Sequence, residues 1–156
     1  MSNLQERFNQ LIEAQQELKT KFQNEAQAMF KEVTKEFFEK NPAITAVVWT
    51  QYTPYFNDGD PCVFSVGDVI FTNAPDDELE NVSPWGEYEG DLEDVWVETS
   101  VKHLPNDSGI DLESCDLISD MIGSRDMEDI MLAMFGDHAK VTATKNGFDV
   151  DEYHHD

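Results

Sequence analysis

Ala43-Ile44-Thr45-Ala46-Val47-Val48-Trp49-Thr50-Gln51-Tyr52-Thr53-Pro54-Tyr55-Phe56 is the run on which the fold turns. It is dense in β-branched and aromatic residues, as are residues 62–71, and the link Asn57-Asp58-Gly59-Asp60 carries an Asp-Gly pair suited to a tight hairpin. With Asp58-Gly59 as the loop, Val48 faces Val69, Val47 faces Ile70, Thr53 faces Phe64 and Tyr55 faces Cys62. Apolar pairs then fall on both faces. This predicts a hairpin covered on each side, or a register shifted by Pro54.

Upstream of the hairpin the period changes. Leu4, Phe8, Leu11, Ile12, Leu18, Phe22, Ala26, Met29, Phe30, Val33 and Phe37 recur at the three-and-four spacing of a helical face, with Gln, Glu and Lys on the other side. No Gly or Pro interrupts the pattern before Asn41-Pro42, which ends it because the residue before proline avoids the helical region. A rod of roughly 55 Å follows from a rise of about 1.5 Å per residue. A globule of this length is only about 40 Å across. The helix therefore overhangs its own domain unless it bends or breaks to lie on the sheet. The expectation is a homodimer through residues 4–30, with Leu4, Phe8, Leu11, Leu18, Phe22 and Met29 as its seam.

Downstream, residues 73–94 read as a long loop broken by Pro75, Pro84, Gly86 and Gly90, and residues 95–101 resume strand character. After the breaker Pro105-Asn106-Asp107-Ser108-Gly109, a stripe of Leu112, Leu117, Ile118, Met121 and Ile122 ends at Gly123. Ser124 can cap a second helix whose face is Met127, Ile130, Met131, Met134 and Phe135, ended by Gly136. Residues 141–144 and 148–151 alternate around Lys145-Asn146-Gly147, a closing hairpin. The order α-β-β-β-α-α-β-β has grouped helices and no βαβ alternation. The class is α+β: a long N-terminal amphipathic helix (1–40), then an acidic domain (41–156) with a mainly antiparallel sheet of hairpins and two helices before the C-terminal hairpin.

Charge separates the same two parts. The 156 residues hold 33 acids and 10 bases, a formal net charge of -23. Residues 1–40 hold seven acids and six bases, so residues 41–156 hold 26 acids and four bases, and residues 41–101 contain no Lys or Arg. Such a surface disfavours direct contact with nucleic acid or anionic lipid, both of which need basic groups. Leu, Ile, Val and Phe make up 38 residues, enough for a packed core rather than a disordered chain. No apolar run has the length of a membrane span, and the start lacks the pattern of a signal peptide, so a cytoplasmic location is expected.

Enzyme signatures are absent: no P-loop, GxGxxG, GxSxG or HExxH occurs, and no enzyme activity or cofactor is expected. Cys62 and Cys115 lack zinc or disulfide spacing and read as small buried hydrophobes. Asn57-Asp58-Gly59-Asp60, with Asp68 or Asp76 brought near by folding, departs from the order of acids in an EF-hand loop, and His154-His155-Asp156 sit at the chain's end. Both read as structural rather than metal-binding. Trp49, Tyr52, Tyr55 and Phe56 lack the positive groove that a base-stacking platform needs, and read as hairpin core.

The acidic surface carries the functional reading. Glu87, Glu89, Asp91 and Glu93 recur every second residue, and an extended backbone would set them in a row on one side. Glu113, Asp116 and Asp120 recur at helical spacing. With Asp76, Asp77, Glu78, Glu80 and Asp94 they form the expected partner-binding face, and Trp85, Tyr88 and Leu92 supply apolar anchors between the charges. Rows of carboxylates resemble a phosphate track. The expected partner is a basic nucleic-acid-binding or host-defence protein, such as a nuclease, helicase or polymerase, inhibited by occupation of its groove. The alternatives are an acidic structural or scaffolding component assembling through the N-terminal helix, and a divalent-cation-binding protein.

The block from Trp49 to Phe64, with Phe135-Gly136-Asp137 and the end Glu152-Tyr153-His154-His155-Asp156, resembles an uncharacterised group of small acidic proteins from tailed phages and bacterial genomes. The resemblance covers about a quarter of the chain and brings no known activity, cofactor or site. It implies a context: small acidic phage proteins include inhibitors of host nucleases and anti-defence factors, some of them DNA mimics, which for a phage-encoded chain means the host cytoplasm.

Overall fold

The structure is a computed structural model and describes residues 2–54, 62–106 and 109–153. Helix α1 runs unbroken over Ser2–Lys40. The strands are β1 (Ala46–Tyr52), β2 (Ser65–Val66), β3 (Ile70–Thr72), β4 (Val97–Glu98), β5 (Ala139–Thr144) and β6 (Gly147–Glu152), and two further helices are α2 (Leu112–Gly123) and α3 (Glu128–Phe135). Among the described residues every strand pair is antiparallel, in the order β4-β3-β1-β5-β6, with β2 paired to the far end of β1. The fold is the α+β arrangement expected.

β1 is the centre of the sheet because its two sets of alternating side chains are both apolar. Val47 and Trp49 point to one face, where they meet Phe71, Val141 and Ala143 of neighbouring strands and Phe30, Phe37, Cys115, Ile118, Ile122 and Met131 of the helices. Ala46 and Val48 point to the other, joining Ile70, Ala74, Leu79 and Val82, with Tyr88, Val95 and Val97 packed beside them. Three layers result: helices, sheet, and the segment 74–97 folded over the second face. Each large side chain buried here contributes about 1.5–3 kcal/mol.

The register of the first hairpin is right at one end and shifted at the other. Gln51 faces Val66 and Tyr52 faces Ser65, in step with the Asp58-Gly59 loop, but Val48 faces Ile70 and Val47 faces Phe71 instead of Val69 and Ile70. Gly67, Asp68 and Val69 stand opposite only Trp49 and Thr50, so the return strand carries a bulge. Gly67 permits it, donating its N–H to the Thr50 carbonyl at 2.7 Å, where an added Cβ would lie 3.1 Å from the Thr50 hydroxyl. The bulge, not Pro54, shifts the register. Tyr55 and the Asn57-Asp58-Gly59-Asp60 turn lie outside the described residues.

Elsewhere the elements are shorter than expected. The third strand is reduced to Val97–Glu98 and gives way to a 3-10 turn at Val101–His103. The long loop contains a 3-10 helix, Asp76–Asn81, and a bridge between Val82 and Tyr88. In α2 the inward residues are Cys115, Ile118 and Ile122, whereas Leu112 and Leu117 are exposed, so the stripe read from sequence is rotated. Ser124 accepts from the Asp126 N–H and caps a 3-10 turn that leads into α3, and Gly136 ends α3 at φ 86°.

The long stripe of α1 divides in two. Phe30, Thr34, Phe37 and Phe38 are buried against the body, with the Phe30 ring 5.7 Å from Phe148 and the Phe37 ring 6.1 Å from Phe71. Leu4, Phe8, Leu11, Ile12, Leu18, Phe22, Met29 and Val33 face solvent. The helix neither bends nor breaks to lie on its own sheet, and residues 3–22 overhang it.

Candidate acidic interaction surface

Of the twelve carboxylates expected to meet a partner, all but Glu78 are exposed. Glu78 is half-buried and held within the fold, accepting from Asn81 Nδ2 at 2.6 Å and from the Tyr88 hydroxyl at 2.9 Å. Tyr88 in turn accepts the Leu92 N–H at 3.2 Å. Burial first, and then the Glu78 carboxylate, push the Tyr88 phenol above its ordinary pKa, against the Leu92 hydrogen bond. Tyr88 is therefore the strut of this segment, while Trp85 and Leu92 stand exposed among the acids.

The sheet separates the twelve into two groups. Asp76, Asp77, Glu78, Glu80, Glu87, Glu89, Asp91, Glu93 and Asp94 belong to the segment covering the second face. Glu113, Asp116 and Asp120 lie on the outer side of α2, which packs in the helical layer on the first face. The carboxylates of 76–94 and those of α2 thus belong to layers on opposite faces of the sheet. The row at 87–93 is also not straight: Tyr88 bridges Val82, Glu89 donates its N–H to the Asn81 carbonyl, and residues 90, 91, 93 and 94 form bends. At Gly90 a Cβ would come within 2.2 Å of the Tyr88 hydroxyl, so a side chain there would displace the phenol from this turn.

Two carboxylates that sequence reading left out complete the second side. Lys140 pairs with Asp151 and Thr142 with Asp149 across β5 and β6, and direct antiparallel partners share a face. Asp76, Leu79, Glu80, Lys140, Thr142, Asp149, Val150 and Asp151 line one recess of about 310 Å³. The alternation Phe148-Asp149-Val150-Asp151 marked a strand with an acidic side, but its position beside Asp76 depends on a contact more than 60 residues distant in sequence. Lys140 Nζ donates to the Val82 carbonyl at 2.7 Å and ties the covering segment to the sheet. Burial lowers the Lys140 pKa, and Asp151 and Glu89 oppose that shift.

Other candidates resolve into structure. Trp49 is fully buried and donates Nε1–H to Gln51 Oε1 at 3.1 Å, so its ring belongs to the core; half-buried Tyr52 lies 5.4 Å from Tyr153 with the rings tilted by 48°, and Tyr55 and Phe56 lie outside the described residues. Cys115 is buried, and burial pushes its thiol up to about 12. Among the described residues, no group of three or more His, Cys, Asp or Glu is arranged to hold a metal ion. Asp58, Asp60, His154 and His155 lie outside that description. No described helix is long and apolar enough to cross a membrane. No family model, curated protein or solved structure matches the chain.

Proposed function

We propose that this chain is an acidic binding protein that occupies the basic groove of a nucleic-acid-binding or host-defence protein and excludes its nucleic acid. The observation that carries this reading is the gathering of carboxylates on the second side of the sheet. Eight exposed ones come from residues 76–94, a segment with no Lys or Arg, and exposed Asp149 and Asp151 adjoin Asp76 and Glu80. Duplex DNA carries one charge per roughly 1.7 Å, so ten exposed charges match about 17 Å, or roughly half a helical turn. Exposed Trp85 and Leu92 lie among them and supply the apolar contact that charge alone lacks. Complementary fields speed association with a basic partner and repel acidic ones. The exposed stripe of α1 supports the second reading, an acidic component of an assembly.

The test is capture from lysate on the immobilised chain, with elution by excess duplex DNA and identification of what is released. Basic nucleases, helicases or polymerases displaced by DNA support mimicry. Retention only of assembly components, insensitive to DNA, supports the second reading instead.

A further inference from the structure

Among the described residues, nothing packs over the first half of α1. Every described side chain from residue 3 to residue 22 is exposed, and most of the apolar ones are strongly so, Leu4 at 78 % and Phe22 at 68 %, with Ile12 the least at 37 %. The stripe continues toward the body as exposed Met29 and Val33, then runs into a groove of about 400 Å³ between α1 and α2, whose walls include Val33, Phe37, Leu117 and Met121. Leu117, on the α2 wall, is 65 % exposed.

The ends of this stripe mirror one another: positions 4, 8 and 11 are matched by 33, 29 and 26 about Leu18 and Lys19, while Phe22 falls opposite Gln15 and Ile12 opposite Glu25. A reversed second helix therefore sets Leu4 beside Val33, Phe8 beside Met29, Leu11 beside Ala26 and Gln15 beside Phe22 in successive layers. Seven large side chains at roughly 100 Å² apiece offer on the order of 700 Å² per copy, close to the roughly 800 Å² per partner of a stable interface. The same reversal brings Arg7 of one copy near the level of Glu32 of the other, an opposite pair on the flank. Residues 1–40 are nearly neutral, so the rod can pair, whereas residues 41–156 hold 26 acids and four bases. Parallel pairing packs two such bodies side by side; reversed pairing sends them to opposite ends, well beyond a Debye length of about 8 Å at physiological salt.

We propose that a second copy of this chain covers the stripe as an antiparallel helix pair centred on residues 18 and 19, with the first turns of each α1 seated at the α1–α2 groove of the other copy. The acidic side of each body stays free, so the pairing stands independently of any reading of that side.

Light scattering at high micromolar concentration is expected to give about 36 kDa, twice the 17.8 kDa chain, in both 0.1 M and 1 M salt. The double variant Leu11→Glu, Leu18→Glu is expected to fall to 17.8 kDa with its near-ultraviolet circular dichroism unchanged, since both positions are exposed. Orientation is read by electron double resonance between spin labels at Asn3→Cys in a Cys62→Ser background, where buried Cys115 does not take the label. A distance near 45 Å, from about 1.5 Å of rise per residue, is expected. A distance under about 20 Å means parallel pairing and overturns the proposal, as does a monomeric or higher mass for the unsubstituted chain.

Discussion

Gln51 shows what a single polar residue does at the centre of this fold. It is fully buried on β1, accepts from Trp49, and donates Nε2–H to the carbonyls of Met131 at 2.9 Å and Gly136 at 2.7 Å, clamping the closing end of α3 to the sheet. Gln51→Leu leaves an indole N–H and two carbonyls without that partner and is expected to cost about 1–3 kcal/mol, read as a lower urea midpoint with an unchanged slope. No change in midpoint would deny the clamp. In sequence Gln51 is only a polar residue inside an apolar run, because its partners lie 80 and 85 residues away. Asp137 makes a comparable tie at the surface. Burial raises its pKa, but the Thr53 hydroxyl and N–H, each 2.7 Å away, and the His138 N–H outweigh burial and hold it below the ordinary carboxylate value. A lowered folded pKa contributes stability that is present above the ordinary value near 3.8 and lost as pH falls through the folded one. Asp137→Asn is expected to melt below the unsubstituted chain at pH 7, with the gap closing in acid; a gap independent of pH would contradict this.

Among the elements, α1 is set at its angle by the residue that ends it. Asn41 is buried; its Nδ2 donates to the Phe37 carbonyl and Ser114 Oγ, each at 2.9 Å, and its Oδ1 accepts the Asp111 N–H at 2.6 Å. The end of α1 and the start of α2 are thereby one joint, and Lys40 adds an exposed ion pair to Asp111 at 3.0 Å. Asn41→Ala is expected to destabilise by about 1–3 kcal/mol and to speed hydrogen exchange at residues 30–40 and 112–116. Equal exchange in both proteins would show that the joint does not hold the helix. The extent of α1 and the existence of both hairpins were legible because periodicity and turn residues are local signals. The bulge at 67–69 was not, since it depends on Gly67 lying against Thr50. The rotation of α2 was not either: Leu117 fits an inward stripe by type, and only the approach of α1 decides that Cys115 turns inward instead.

At the level of the whole molecule, sidedness matters more than total charge. The acidic residues of 76–94 were readable as a group from sequence, but their separation from Glu113, Asp116 and Asp120 was not, because it depends on which face of the sheet each element covers. Asp149 and Asp151 escaped notice for the same reason. The proposed binding face on the second side is tested by affinity for a captured basic partner, compared between two charge-neutralised variants. One variant carries Asp76→Asn, Glu80→Gln, Glu89→Gln, Asp149→Asn and Asp151→Asn; the other carries Glu113→Gln, Asp116→Asn and Asp120→Asn. The first is expected to lose affinity by on the order of 10- to 100-fold at low salt, with a shallower salt dependence, while the second binds nearly as the unsubstituted chain does. Equal losses in both variants, or none in the first, would contradict it.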